Sequence, residues 1–109
     1  MEVNKTGFTL LRAFWRTRLN KLSFLFKKIC IASDHAGFSL KEYIKFNLIR
    51  QKISIIDLGP NTDTRVDYPD YAKKVSKKII LKKSDAGILV CGSGTGMAIT
   101  ANKFRGIRA

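Results

Sequence analysis

Residues 86–96 read AGILVCGSGTG: Ala86-Gly87-Ile88-Leu89-Val90-Cys91 is apolar throughout, and Gly92-Ser93-Gly94-Thr95-Gly96 follows directly. An apolar run of this length with no alternation fits a strand covered on both faces, as in a parallel sheet flanked by helices. Glycines at alternate positions let the chain turn tightly into a helix, so that backbone N–H groups converge where a helix N-terminus favours negative charge. The turn is not a P-loop, because no Lys follows its last Gly, and its G-x-G-x-G spacing is not the dinucleotide fingerprint. Taken alone, it serves equally as a tight strand-to-helix connection or as an anion cradle.

The same grammar extends upstream. Residues 29–33 read as a buried strand, and residues 39–51 as a helix with Leu40, Tyr43, Ile44, Leu48 and Ile49 on its inner side. Residues 53–58 form a second strand, Gly59-Pro60-Asn61-Thr62-Asp63 a turn, and residues 71–81 a second helix, with Pro69 suited to its first turn. Downstream, residues 95–104 form a third helix, and Gly106-Ile107-Arg108-Ala109 reads as a fourth strand that is just beginning. Successive βαβ units imply an α/β fold: a Rossmann-like three-layer α/β/α arrangement around a parallel sheet, truncated in mid-architecture. An open sheet edge is expected to need cover.

Of 109 residues, 21 are Lys or Arg and 8 are Asp or Glu, a formal net charge of +13. Residues 1–28 carry 7 of the basic residues and 1 acid. Within them Phe8, Leu11, Trp15, Leu19, Leu22 and Phe26 follow spacings of 3, 4, 4, 3 and 4, one face of a helix. Residues 1–27 are accordingly expected to be a basic amphipathic extension outside the core, and residues 28–109 a single domain incomplete at its C-terminal end. The lysine pairs at 73–74, 77–78 and 82–83 fit a solvated helix face, and no nucleic-acid reading motif accompanies the charge. Neither nucleic acid nor membrane is expected as a partner, since no apolar run approaches the ~20 residues of a spanning helix. Cys30 and Cys91, 61 positions apart, suit a reducing compartment such as the cytoplasm.

In a parallel α/β sheet, ligands bind outside the carboxyl ends of the strands. Two such ends carry reactive groups: Ser33-Asp34-His35-Ala36-Gly37, with the chain's one His, and the Cys91 turn. A cleft between them brings Cys, His and Asp together. Cys91 sits where the dipole of the following helix favours a thiolate, suiting a base or nucleophile, whereas Cys30, in mid-strand, reads as inert. His35 beside Asp34 suits phosphate binding or proton transfer, and equally a capped helix start. Two Cys and one His provide no metal-ligand cluster, so no metal is expected.

Together these pieces resemble the N-terminal half of type B ribose-5-phosphate isomerase and its wider ribose/galactose-6-phosphate isomerase family. The resemblance rests on Ser33-Asp34-His35-Ala36-Gly37 with Leu40-Lys41, on Asp57-Leu58-Gly59 and on Val66-Asp67-Tyr68-Pro69-Asp70-Tyr71-Ala72. Residues 87–96, Ala101-Asn102-Lys103 and Gly106-Ile107-Arg108-Ala109 complete it, covering 82 residues from Lys28. It implies aldose–ketose isomerisation of a sugar phosphate through an enediolate, without metal or organic cofactor, in the pentose phosphate pathway. Cys91 matches the catalytic base, the amides of Gly92, Ser93, Gly94, Thr95 and Gly96 the anion hole, and Asp34 and His35 substrate-binding positions, with His35 toward the phosphate and Tyr68 toward the sugar.

The resemblance further implies a ring-opening His, an adjacent Asn and phosphate-gripping Arg residues beyond residue 109, and homodimers or tetramers whose interface leans on that part. Residues 1–109 alone are expected to be inactive or very weak. Galactose 6-phosphate or allose 6-phosphate is the alternative substrate, an inactive fragment of such an enzyme the alternative state, and a basic binding module the alternative class.

Overall fold

A computed structural model of the chain describes residues 2–3, 8–11 and 26–109. The elements follow as β1 (Glu2–Val3), β2 (Phe8–Leu11), β3 (Lys28–Ser33), α1 (Phe38–Arg50), β4 (Ser54–Asp57), α2 (Tyr68–Ile80), β5 (Ala86–Val90) and α3 (Thr95–Asn102). They build one sheet in the order β1-β2-β5-β3-β4. β3, β4 and β5 are parallel, with Ile29 opposite both Ile55 and Ala86, and Ser33 opposite Val90. This is the expected α/β core.

Alternation along β3 divides the interior between the sheet faces. Ile29 and Ile31 meet Ile44 and Leu48 of α1, with Ile88 and Val90 from β5. Cys30 and Ala32 meet Ala72 and Val75 of α2 and Met97, Ala98 and Ala101 of α3. Small residues on the second face let two helices approach the sheet. At Gly87, a Cβ would collide with Val75 and Ile79 of α2. Lys52 (φ 63°) and Lys82 (φ 57°) adopt the left-handed conformation just past α1 and α2. The lysines of the 73–83 region are exposed except for the partly buried Lys78, as expected of a solvated face. No helix of the described residues is long and apolar enough to cross a membrane.

Three expectations are corrected. First, Phe8–Leu11 is a strand, antiparallel to β5, with Phe8 opposite Val90 and Leu11 opposite Gly87. Unpaired N–H and C=O groups on the β5 edge accept a short apolar segment more readily than an isolated helical turn forms. Trp15, Leu19 and Leu22 lie outside the described residues. Phe26, at the end of the same stripe, is buried against the α1 side of the core.

Second, Gly106–Ala109 forms no strand, since β2 fills the free edge of β5. Its end is instead held by Asn102, whose Oδ1 accepts the Ala109 N–H at 2.8 Å. Third, α1 buries Lys41, Ile44 and Leu48, while Tyr43 and Ile49 remain 64% and 54% exposed. The helix is rotated so that Lys41 reaches Asp57 at the end of β4.

Candidate functional site

The carboxyl ends of β3 and β5 are bound to each other. The Asp34 N–H donates to the Val90 carbonyl at 3.0 Å, placing Asp34 and Cys91 just past neighbouring strand ends. Asp34 then folds its own loop, since its Oδ1 accepts the Gly37 N–H at 2.8 Å. Gly37 is required there by a close approach: a Cβ would lie 2.7 Å from both the carbonyl carbon and the oxygen of Val90. The Asp34-His35 turn is thereby pressed against the end of β5. The N-cap of α1 is Gly37, without a side-chain cap, so Asp34 does not cap the helix directly.

Gly94 begins α3 in the left-handed region, φ 82°, which glycine adopts without strain. That twist returns its N–H to Cys91, whose Sγ accepts it at 2.9 Å. Cys91 is 5% exposed and lines a cleft of about 710 Å³. Asp34, His35, Gly92, Ser93, Gly96 and Tyr68 line the same cleft, so most of the expected set converges.

Gly94 and Thr95 are not among the lining residues. The Gly94 N–H serves Cys91, and the Thr95 N–H donates to Ser93 Oγ at 3.2 Å. These two amides are engaged within the turn, while Gly92, Ser93 and Gly96 line the cleft. Gly96 is also where α2 and α3 touch, a Cβ there coming within 2.6 Å of the Tyr68 ring.

Sequence reading missed one wall. Arg65, Val66, Asp67, Pro69 and Asp70, from the β4–α2 connection and the start of α2, complete the cleft. The signal was topological: β4 is parallel to β3, so its exit opens on the same edge. The Val66 N–H donates to His35 Nδ1 at 3.4 Å, leaving Nε2 to carry the proton of a neutral ring. Arg65 and the His35 imidazole line the cleft together with the carboxylate residues Asp34, Asp67 and Asp70.

The two thiols differ in chemistry. Cys30 is fully buried; burial pushes its thiol up, outweighing the lowering effect of the Ser84 hydroxyl and Lys78. Both cysteines are unpaired. Under native conditions iodoacetamide is expected to alkylate Cys91 at least ~100-fold faster than Cys30, since only Cys91 lines a cleft. Peptide mass mapping over time reads this ratio, and equal rates would contradict the two environments.

Comparison with known proteins agrees with the geometry. The Ribose/Galactose Isomerase family model matches residues 29–109. Over 83 residues the chain is 46% identical to ribose-5-phosphate isomerase B of Escherichia coli, covering 76% of this chain and 56% of that protein. The crystal structure of a ribose 5-phosphate isomerase from Thermotoga maritima superposes with a TM-score of 0.72 at 53% identity, covering 72% of this chain and 55% of that one. The Trypanosoma brucei type B ribose 5-phosphate isomerase gives a TM-score of 0.70 at 44% identity, covering 75% and 56%. The chain thus spans about half the length of the relatives it matches. It belongs to the ribose/galactose isomerase family.

Proposed function

We propose that this chain carries the proton-transfer half of an aldose–ketose isomerase whose substrate is ribose 5-phosphate and whose product is ribulose 5-phosphate. The observation that carries the reading is Cys91 Sγ, held by the Gly94 N–H at 2.9 Å in a cleft shared with Asp34 and His35. With the open-chain aldose in the cleft, the thiolate removes the proton from carbon 2. The C–H electron pair forms the C1–C2 double bond, and the carbonyl oxygen on carbon 1 becomes the enediolate oxygen. The thiol returns a proton to carbon 1 as the hydroxyl proton on carbon 2 passes to the oxygen on carbon 1, leaving a ketone at carbon 2 and a hydroxyl at carbon 1.

Backbone donors near the developing oxyanion stabilise it more in the transition state than in the ground state. In this reading Gly92, Ser93 and Gly96 supply that surface, His35 Nε2 donates to the phosphate, and Asp34 orients sugar hydroxyls. Two unpaired cysteines favour the cytoplasm as its setting, and its place is the pentose phosphate pathway. Homo-oligomer formation and the remaining phosphate and ring-opening groups are assigned to the part of the family beyond residue 109.

The test joins residues 1–109 to the C-terminal part of the Escherichia coli relative, beyond the matched region, and follows ribose 5-phosphate in D2O by NMR. Ribulose 5-phosphate carrying deuterium at carbon 1 is expected, with galactose 6-phosphate and allose 6-phosphate turned over more slowly. A folded chimera that prefers a six-carbon phosphate reassigns the substrate. One that exchanges no carbon-bound proton overturns the reading.

A further inference from the structure

The turn that carries Asp34 and His35 is held from both sides. Toward β5, the Asp34 N–H donates to the Val90 carbonyl at 3.0 Å; toward β4, the Ser33 N–H donates to the Gly59 carbonyl at 3.1 Å. β4 ends at Asp57, opposite Ile31 in the parallel register, so Gly59 lies just past the strand end. The Asp57 side chain fixes Gly59 there, its Oδ1 accepting the Gly59 N–H at 2.9 Å.

That carboxylate is itself clamped. Lys41 Nζ donates to Asp57 Oδ1 and Oδ2 at 3.0 and 2.9 Å and to Glu42 Oε2 at 2.9 Å, which uses all three ammonium hydrogens. The segment from Ser33 to Lys41 is therefore a loop and first helical turn whose two ends are both anchored on Asp57-Leu58-Gly59, with Asp34 and His35 between the anchors. Neither Lys41 nor Asp57 lines the cleft. Stability alone does not account for a buried ammonium at this place, because an apolar pair of similar volume is often as stable or more so. An apolar side chain at position 57, however, leaves the Gly59 N–H without its acceptor.

We propose that Asp57, clamped by Lys41, is a positioning residue of the isomerase: it sets the Gly59 carbonyl that holds Ser33, and so places Asp34 and His35 against the substrate. The role rests on the isomerase reading for its chemistry and on the two anchors of the 33–41 segment for its geometry. It acts on the side of the cleft that binds, since Cys91 follows β5 and is held separately by the Gly94 N–H. Its loss is felt in KM more than in kcat.

Two double variants separate the hydrogen bond from the charge. Lys41→Met/Asp57→Leu removes the ion pair and the acceptor together, whereas Lys41→Met/Asp57→Asn removes the ion pair and keeps an oxygen for the Gly59 N–H. In the full chain, amide hydrogen exchange read by NMR is expected to be at least ~10-fold faster at Ser33 and Gly59 in the Leu variant, with Asp34, bonded to Val90, still protected. In the Asn variant both amides stay within about 3-fold of wild type. Carried into the chimera, the Leu variant is expected to raise KM for ribose 5-phosphate about 10-fold with kcat changed less than about 3-fold, and the Asn variant to restore KM.

Loosening confined to Ser33 and Gly59, with a KM that Asn restores, supports the positioning role, because lost packing or lost charge would follow both variants equally. Unchanged Ser33 exchange or unchanged KM in the Leu variant, or equal impairment of the two variants, overturns it. Should the Leu variant lose protection at Asp34 as well, it has not folded and the wild-type chain decides: Ser33 and Gly59 amides that exchange like exposed loop amides overturn the proposal, and protected ones support the anchor. A wild-type chimera that turns over no substrate overturns the isomerase reading, and amide exchange of the full chain still decides whether Asp57 holds the turn.

Discussion

Replacing Cys91 by Ala in the completed chimera is expected to lower kcat/KM for ribose 5-phosphate at least ~100-fold, the lower end of what a positioned general base contributes. The side chain is small, and its Sγ accepts one hydrogen bond, from the Gly94 N–H. Loss of that sulfur should therefore cost about 1 kcal/mol of stability, within the ordinary range for one substitution. The activity loss and the stability loss are separable by urea unfolding of the same preparation.

Cys91→Ser sharpens the test. A serine hydroxyl can still accept the Gly94 N–H, so the turn is kept, but it is a far weaker base at neutral pH than a thiolate. Its rate is expected to stay near that of Cys91→Ala. Recovery by Ser, or an Ala variant that retains more than a tenth of the activity, would move the base to Asp34, Asp67 or Asp70, the carboxylates of the same cleft.

The parts of the site legible from the residues were those whose local pattern had one physical solution. The apolar runs of β3 and β5 can be satisfied only by burial on both faces, and the Gly-rich turn between Cys91 and Gly96 requires backbone freedom, as the φ of 82° at Gly94 shows. Phe8–Leu11 had two solutions. Phe8 and Leu11 match a helical spacing while Phe8 and Leu10 match an alternating one, and only the open β5 edge decides between them. Gly106–Ala109 was misread for the matching reason: its own composition suits a strand, but strand formation needs a partner, and that partner is taken.

Of the Arg65–Asp70 wall the sequence offered only the resemblance over residues 66–72 and Tyr68 as a sugar contact; the place of its other residues in the cleft follows from the parallel course of β4, which aims its exit there. Lys41 is buried with no local sign of it. A lysine among apolar helix positions reads as solvent-facing, because burial of an ammonium is costly without a partner. Its partner lies 16 residues away on another element.

Asp57→Leu is expected to destabilise the fold by about 3 kcal/mol at pH 7, because it strands a buried cation. Among the described residues Lys41 is the largest fully buried side chain, 0% exposed, and Asp57 grips its Nζ through both oxygens, at 3.0 and 2.9 Å. Lys45 reaches the same carboxylate at 2.8 Å, and the Gly59 N–H donates to it at 2.9 Å. Without Asp57, Lys41 is left with Glu42, which is 40% exposed and shared with Lys45. Lys41→Met/Asp57→Leu removes the stranded charge as well, so the double variant should be more stable than the sum of the single losses predicts, by about 1–3 kcal/mol.

The effect has a pH signature. Burial alone would raise the Asp57 carboxyl, but hydrogen bonds from Lys45 and Lys41 and the Gly59 N–H hold it below its usual value. A carboxyl depressed in the folded state contributes stability that is fully present above its unfolded pKa of about 4, and loses it as pH falls through the folded value. Glu42 is depressed in the same way: burial opposes the shift, and hydrogen bonds from Lys41 and Lys45 overcome it. Urea unfolding of the wild type and Asp57→Leu at pH 7, 5 and 3 should therefore give a gap that is constant down to about pH 5 and narrows below about pH 4. A gap under about 1 kcal/mol at pH 7 would mean that Glu42 and solvent suffice for Lys41. A gap unchanged at pH 3 would mean that shape, and not charge, is what Asp57 supplies between α1 and β4.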